Sequence, residues 1–380
     1  MTYIMVTTDA ELEQCCAALA NSRFLALDTE FLREKTYYSI LALIQVANES
    51  LTYIIDPIAL DNLHKFFELI NNPNIVKVLH SARQDYEIFY NLQGELPKPI
   101  FDTQVAASLL GYGEQIGYAN LVKDLLDIEV DKSQTRTDWT RRPLNEKQLS
   151  YAATDVIYLA EIYPLMQAKL KELGRTEWLT EDFKQLSDNT CYQVDQRSMW
   201  KKIKSANRLP AHKLSVVQEL AAWREIQAIE KNIPRKRVMS DDVIIDIANQ
   251  QPQTIAELRN IRQINPRLKE DELQQLLICI KTGLAKPEAE WPRFARSSKP
   301  STEQSAIVDI LSAIVQLKAS HNNISPAFIC SKKELVKLVC GDSDSNLYKG
   351  WRKVLVGDDI KRFLSGSTKL NLQDGKLLLV

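Results

Sequence analysis

Nowhere does the chain approach the ~18 consecutive apolar residues that a membrane span requires. The longest candidate, Tyr38 to Ala47, is interrupted by Ser39 and Gln45. The opening segment, Met1 to Leu12, carries acids and no basic stretch ahead of an apolar one, which predicts no signal peptide and a cytosolic protein. Cysteine is scarce and scattered: Cys15, Cys16, Cys191, Cys279, Cys330 and Cys340 contain no C-x-x-C pair. That argues against a zinc ribbon or a disulfide framework and predicts reduced, mostly buried thiols. The four histidines, His64, His80, His212 and His321, are too far apart in sequence to form a local metal pair. No sign of charge dominates, since 48 Lys and Arg face 49 Asp and Glu for a net charge of −1. A globally basic nucleic-acid binder is thereby disfavoured, while local basic clusters stay available because phosphate contacts need only local charge. There is no low-complexity tract, and 45% hydrophobic with 26% charged residues excludes a disordered or collagenous chain. At roughly 150 residues per domain, 380 residues imply two or three domains.

Alternating strand-like and helix-like patterns fill the first part of the chain. Ile4–Val6, Phe24–Phe31, Ser39–Ala47, Leu51–Ile55 and Ile75–Leu79 read as strands. Thr8–Leu19, Asp61–Ile70 and a segment starting near Ser81 read as helices, and helices dominate from there to about Leu173. The pattern predicts an α/β domain with a mixed sheet. Beyond Gly174 the β signal nearly vanishes. Leu214, Val217, Leu220, Ala221, Ile226 and Ile229 recur at helical spacing after an entry at Leu209-Pro210. A basic, proline-rich stretch then spans 287–303, and helical spacing resumes at Ile307, Ile310, Leu311, Ile314 and Leu317. The final residues depart from it, with Asp374-Gly375 between two apolar runs as a hairpin signal.

Three segments carry chemistry. In Asp28-Thr29-Glu30, side chains alternate faces along the strand, so the two acids share one face about 6.6 Å apart between Cα atoms. Two acids closing an otherwise apolar strand conflict with burial. A cation resolves that conflict, and so does a strand end turning into solvent. Further on, Asn145 with Gln148 forms a capping-box pattern and Leu144 with Leu149 a hydrophobic staple. Tyr151 and Asp155 then fall four apart on one helical face, about 6 Å between Cβ atoms. An amphipathic helix with a half-buried Tyr and a solvated Asp fits that pair equally. Finally, Ser81 with Gln84 is read as a cap that places Asp85 in the first turn of a helix. There the dipole favours a carboxylate by about 0.3–1 kcal/mol.

Together these segments resemble the DEDD exonuclease superfamily in its tyrosine-containing branch. Val78-Leu-His-Ser-Ala-Arg-Gln-Asp85, Phe101-Asp-Thr-Gln104 and Asp131-Lys-Ser-Gln-Thr-Arg-Thr-Asp-Trp-Thr-Arg-Arg-Pro-Leu144 extend the resemblance to the bacterial ribonuclease D family. Leu220-Ala-Ala-Trp-Arg-Glu225 and Asn232-Ile-Pro234 resemble the HRDC helical module, and residues 304–364, with Gly350-Trp-Arg352, resemble a weaker second copy. The resemblance implies a ribonuclease H-like exonuclease domain over 1–175 and a helical connector over 176–208. It further implies an HRDC-like domain over 209–286, a basic linker over 287–303, and a second HRDC-like domain over 304–380 that includes the hairpin.

The same resemblance implies a 3′→5′ exoribonuclease that releases nucleoside 5′-monophosphates from RNA with a free 3′ end. tRNA precursors and other small structured RNAs would be its substrates, and it would act as a monomer. Asp28, Glu30, Asp85 and Asp155 would hold two divalent ions about 3.5–4 Å apart. Oxygen-only ligands favour Mg²⁺ or Mn²⁺ over zinc. Asp28 would bridge both ions, Glu30 and Asp155 would complete the nucleophile-side ion, and Asp85 would hold the leaving-group ion. Tyr151 would orient the attacking water, while His80 is expected to be structural. Two basic clusters are candidate RNA contacts: Lys132, Arg136, Arg141 and Arg142 around Trp139, and Lys231, Arg235, Lys236 and Arg237 in the first HRDC-like segment. Each fits a solvated charge run as well. The acid motifs do not distinguish RNA from DNA, so a DNA 3′→5′ exonuclease stays open, as does an inactive RNA-binding protein.

Overall fold

The aliphatic runs become strands and the helical spacings become helices at nearly the expected places. The computed structural model describes residues 2–131, 133–134, 137–294, 299–342 and 344–380. Its first elements are β1 (Ile4–Val6), α1 (Asp9–Leu19), β2 (Phe24–Leu32), β3 (Ile40–Ala47), β4 (Thr52–Ile55) and α2 (His64–Ile70). They are followed by β5 (Val76–Leu79), α3 (Arg83–Gln93), β6 (Ile100–Asp102), α4 (Thr103–Leu110), α5 (Tyr118–Leu126) and the long α6 (Glu146–Glu172). The six strands form one mixed sheet in the order β1-β4-β3-β2-β5-β6. β1 with β4, β2 with β5 and β5 with β6 pair in parallel, while β3 and β4 run antiparallel. β6 is a strand that the sequence pattern alone did not delimit.

The register of the central pair places the chemistry. Phe24 lies opposite Val76 and Ala26 opposite Val78, so β2 runs on past its pairing with β5. Asp28 and Glu30 occupy that extension. Because β2 and β5 are parallel, the turn that leaves β5 for α3 emerges at the same edge. Outside the carboxyl ends of parallel strands is where α/β sheets leave room for ligands.

Two compact units make up the chain: Met1–Phe31, Leu41–Cys191 and Ser297–Val380 in the first, Leu32–Ile40 and Tyr192–Arg296 in the second. The expected connector over 176–208 is thus divided, with α7 (Thr180–Leu186) in the first unit. The second unit holds α8 (Ala211–Glu230), α9 (Arg235–Val238), α10 (Asp241–Gln250), α11 (Ile255–Arg259) and α12 (Glu270–Ala285) around a core of Val217, Leu220, Ile244, Ile247 and Leu276. Of the expected linker 287–303, residues 295–298 lie outside the described residues. The C-terminal stretch carries α13 (Thr302–Asn322), α14 (Pro326–Ile329), α15 (Lys332–Val339), α16 (Gly350–Arg352) and α17 (Asp358–Leu364). It does not build a core of its own: Leu311, Ile314 and Val315 join one buried cluster with Ala107, Leu110 and Leu159. Buried Arg175 reinforces that junction, donating to the carbonyls of Leu109 and Asn322. The hairpin β7 (Leu370–Gln373) and β8 (Lys376–Leu379) closes the chain, and Asp374 and Gly375 take the positive φ values that its two-residue turn requires.

Local capping follows the sequence at one helix and departs from it at another. Asn145 caps α6, its side chain accepting from the Gln148 N–H at 3.0 Å while Gln148 accepts from the Asn145 N–H at 2.8 Å. The Ser81 and Gln84 cap expected for α3 does not form. Ala82 is the N-cap residue, Ser81 has φ 60°, and Asp85 falls at the third helical position. The acceptor is instead Asp102, whose carboxylate takes the N–H groups of Ser81 (3.1 Å) and Ala82 (2.9 Å) together with those of Gln104 and Val105 at the start of α4. One 2%-exposed carboxylate thereby serves two helix N-termini. A single lost cap costs about 0.5–2 kcal/mol. Asp102→Ala is therefore expected to lower unfolding free energy by about 2–3 kcal/mol in chemical denaturation, against about 1 kcal/mol for Asn145→Ala. Equal losses from the two variants would contradict the shared cap.

Candidate active site

Strand alternation puts Asp28 and Glu30 on one side of β2, and α6 brings Asp155 to them. One carboxylate oxygen from each lies within 4.8 Å of the others. All three are half-buried, and among the described residues no Lys, Arg or His pairs with any of them. Burial pushes each carboxyl up, and at Asp28 and Glu30 repulsion from neighbouring acids adds to it. Asp28 rises well above the ordinary carboxylate range through burial and the charges of Asp155, Asp85 and Glu30. Glu30 is pushed up to about 8 by burial, with Asp155 and Asp85 adding to it, and Asp155 to about 7 by burial.

Asp85 stands slightly apart. It belongs to the charge cluster, since it raises both Asp28 and Glu30, but not to the close triad. Burial pushes its carboxyl up to about 7, and a hydrogen bond from Thr29 Oγ1 to its Oδ1 opposes that rise. Thr29, between the two acids of β2, thus holds the fourth carboxylate of the set. Sequence reasoning missed this role because the alternation of faces turns Thr29 away from its neighbours and gives no sign of what it meets.

Tyr151 and Asp155 share a face of α6, as their spacing requires. The Tyr151 ring lies 6.0 Å from that of buried Trp139, and Tyr151 lines a cavity of about 530 Å³ with Lys147, Thr154 and Tyr158. Tyr118, which no sequence signal pointed to, steadies this part of α6. Its hydroxyl donates to the Asp155 carbonyl at 2.6 Å and lies 3.0 Å from that of Thr154. Burial and the charges of Asp155 and Asp28 hold its phenol well above the usual range, so it stays a donor. His80 is structural as expected. Its ring bridges Thr103 Oγ1 (2.9 Å) and the Ile116 carbonyl (3.0 Å), packs on Tyr118, and burial lowers its pKa.

The basic clusters need correction. Arg142 is tied into the fold rather than free on the surface: its Nε and Nη2 fork onto Asp56 at 2.6 Å each, and its remaining donors reach the carbonyls of Ala42, Trp139 and Arg141. Asp56 is 5% exposed, so the pair is a structural tie. Arg235 likewise forks onto fully buried Glu225 and lies over the Tyr37 ring, and Lys231 pairs with Glu272. Arg141 is exposed and only loosely paired with Asp138, while Lys236 and Arg237 are exposed. Lys132 and Arg136 lie outside the described residues.

A mixed sheet with a carboxylate cluster at its edge and a Tyr-Asp helix laid against it defines a 3′-5′ exonuclease domain. Residues 3–171 match the family model described as 3'-5' exonuclease, and residues 213–280 match that of the HRDC domain. The chain belongs to the ribonuclease D family. It is 38% identical to the ribonuclease D of Bartonella henselae, over 98% of this chain and 93% of that one, and 37% identical to that of Jannaschia sp. over the whole of both. Its structure is similar to the crystal structure of Escherichia coli RNase D, with a TM-score of 0.82 and 27% identity over 96% of this chain and 99% of the other. The protein is accordingly a 3′→5′ exoribonuclease.

The donor set fits divalent cations. Burying several carboxylates without compensation costs several kcal/mol per ion, and an all-oxygen set with mutually raised pKa values lacks only positive charge. In the unfolded chain these acids titrate near 4; in the folded chain without cations Glu30 holds its proton up to about 8, Asp85 and Asp155 up to about 7, and Asp28 is raised as well. Between those limits the native state binds more protons, so folding stability falls as pH rises. In EDTA the melting temperature is expected to drop from pH 5 to pH 8, and Mg²⁺ or Mn²⁺ to restore it more at pH 8 than at pH 5. A metal-induced shift that is the same at both values would contradict the site. Separately, Arg142→Ala leaves Asp56 buried alone and is expected to destabilise by about 3 kcal/mol. An unchanged denaturation midpoint would return Arg142 to the surface.

Proposed function

We propose that the enzyme trims the 3′ ends of tRNA precursors and other small structured RNAs, releasing nucleoside 5′-monophosphates with the help of two divalent ions, Mg²⁺ or Mn²⁺. The single observation that carries the site is the approach of Asp28, Glu30 and Asp155 to within 4.8 Å, with Asp85 beside them. These three would hold one ion, and Asp85 with Asp28 the second. Bound there, such ions supply water acidification and charge stabilisation at phosphorus.

The protein's own part is positioning. The Thr29 hydroxyl leaves one Asp85 oxygen free of it, and Tyr118 fixes the carbonyls beneath Asp155. Tyr151 offers a phenol to orient a water for in-line attack on the last phosphodiester. The P–O3′ bond breaks, the terminal nucleotide leaves with a 5′-phosphate, and the shortened chain keeps a 3′-hydroxyl. Arg141, Lys236 and Arg237, with Lys132 and Arg136 by their place in the sequence, are proposed phosphate contacts. The HRDC module, and residues 304–380 as a second HRDC-like segment, would hold the body of the RNA. Linking weak sites in this way raises effective concentration without new contacts at the cleft. Six free cysteines and the absence of any described helix long and apolar enough to cross a membrane agree with a cytosolic enzyme, and we take it to act as a monomer.

Matched RNA and DNA oligonucleotides with free 3′ ends test the reading. RNA is expected to lose single 5′-monophosphates at the faster rate, EDTA to stop the reaction, and Asp28→Asn to lower kcat by about 10³-fold or more with the melting curve intact. Comparable digestion by Asp28→Asn would remove the site, and faster loss of DNA would replace the substrate.

A further inference from the structure

The second unit contains a cavity that the exonuclease chemistry does not use. It encloses about 400 Å³ and is walled by Arg33, Tyr37, Lys202, Arg224, Arg235 and Lys236. Two acids, Glu34 and Asp241, also line it. Some of this charge is already matched. Arg235 is neutralised by Glu225, and Asp241 is held by Arg224 Nη1 at 2.7 Å and by the Lys204 N–H at 3.0 Å. With those pairs set aside, Lys202 and Lys236 face the single acid Glu34 on the walls, an excess of positive charge. Lys202 and Lys236 are exposed, and neither belongs to an ion pair among the described residues.

Arg224 supplies a second, independent indication. It is 4% exposed, and its Nη1 donates to the Met239 carbonyl at 3.0 Å as well as to Asp241. Its Nε, by contrast, is buried without a hydrogen-bond partner, and no described residue accepts from Nη2. Buried donors of this kind are rarely left unanswered. The Nε–Nη2 edge of a guanidinium is a fixed fork that matches two oxygens of one phosphate. A rigid fork, two mobile ammonium groups and an aromatic ring at the wall suit a nucleic-acid backbone better than a lone carboxylate ligand.

We propose that this cavity binds a backbone phosphate of the RNA substrate, upstream of the 3′ end, between the Nε–Nη2 edge of Arg224 and the ammonium groups of Lys202 and Lys236. The proposal rests on the exoribonuclease reading and names a place where the body of that substrate is held. On this reading Arg235, basic in sequence, stabilises the wall through Glu225, and Arg224, too deeply set to register as surface charge, becomes the centre of the site.

The test uses the full-length Asp28→Asn chain and a 5′-labelled 20-nucleotide RNA. Lys202→Glu with Lys236→Glu is expected to raise Kd at least tenfold. The slope of log K against log salt is expected to flatten by about 0.7 for each phosphate that is no longer neutralised. In the catalytically intact chain, the kcat/KM ratio of the 20-mer to a dinucleotide is expected to fall at least tenfold with the same pair of changes. Arg224→Lys keeps the charge but removes the fork, and is expected to weaken RNA binding while preserving the melting temperature within a few degrees. Unchanged RNA affinity in the double variant overturns the proposal. So does an equal loss from Arg267→Glu with Lys281→Glu, which alter exposed charge elsewhere on the unit. Inorganic phosphate that stabilises the wild type but not the double variant, with RNA affinity untouched, would assign the cavity to a free anion and also overturn it. A wild-type chain that hydrolyses neither RNA nor dinucleotide sinks the enzymatic reading instead, whatever the binding data show.

Discussion

Repulsion among four carboxylates held at one edge of an apolar sheet is the constraint on which the catalytic unit is organised. Left to themselves, Asp28, Glu30, Asp85 and Asp155 would separate or protonate; their raised pKa values record their burial and, at Asp28 and Glu30, the repulsion of the neighbouring acids. The fold prevents separation by anchoring each carboxylate through backbone rather than through a countercharge. β2 is fixed by its parallel pairing to β5. α3 is fixed at its start by Asp102, and α6 by the Asn145 box and by Tyr118 beneath Asp155. Among the described residues no lysine or arginine is placed against the triad, although one would have stabilised the fold. A paired cation would occupy the oxygens that a divalent ion needs, so the unfavourable charge is retained and the scaffold is rigid enough to carry it. Preorganised ligands of this kind cost little reorganisation when charge develops at phosphorus.

What the sequence made legible was local geometry. Period-two alternation placed Asp28 and Glu30 on one side of a strand, and a four-residue spacing placed Tyr151 and Asp155 on one side of a helix. The Asn145 box and the Asp374-Gly375 turn are equally local, and both form. The losses all involve partners distant in sequence. Ser81 has the chemistry of a cap, but Asp102, 21 residues later, takes its place because one buried carboxylate can answer four N–H groups. Arg142 reads as a phosphate ligand because its partner Asp56 lies 86 residues earlier. Helical periodicity identifies α13 as amphipathic but cannot say which core receives its apolar face; it is the core beside α4 and α6.

The same distinction governs the positive charge. A chain of net charge −1 has no excess to attract RNA as a whole, so recognition depends on which cations remain accessible after folding. Arg142, Arg175 and Arg235 are drawn into ties with Asp56, with backbone carbonyls and with Glu225. Guanidinium groups suit that work, since a planar fork satisfies a buried carboxylate or several carbonyls at once. Lys202 and Lys236 stay exposed, at a cavity whose buried wall is again an arginine. A few mobile lysines around a fixed fork give contacts that are individually weak, steeply salt-dependent and insensitive to base identity. An enzyme that removes nucleotides one at a time from many sequences needs that combination. Firm recognition of the body would stall the advance of the 3′ end, whereas backbone contacts of modest strength can release and re-form as the chain shortens.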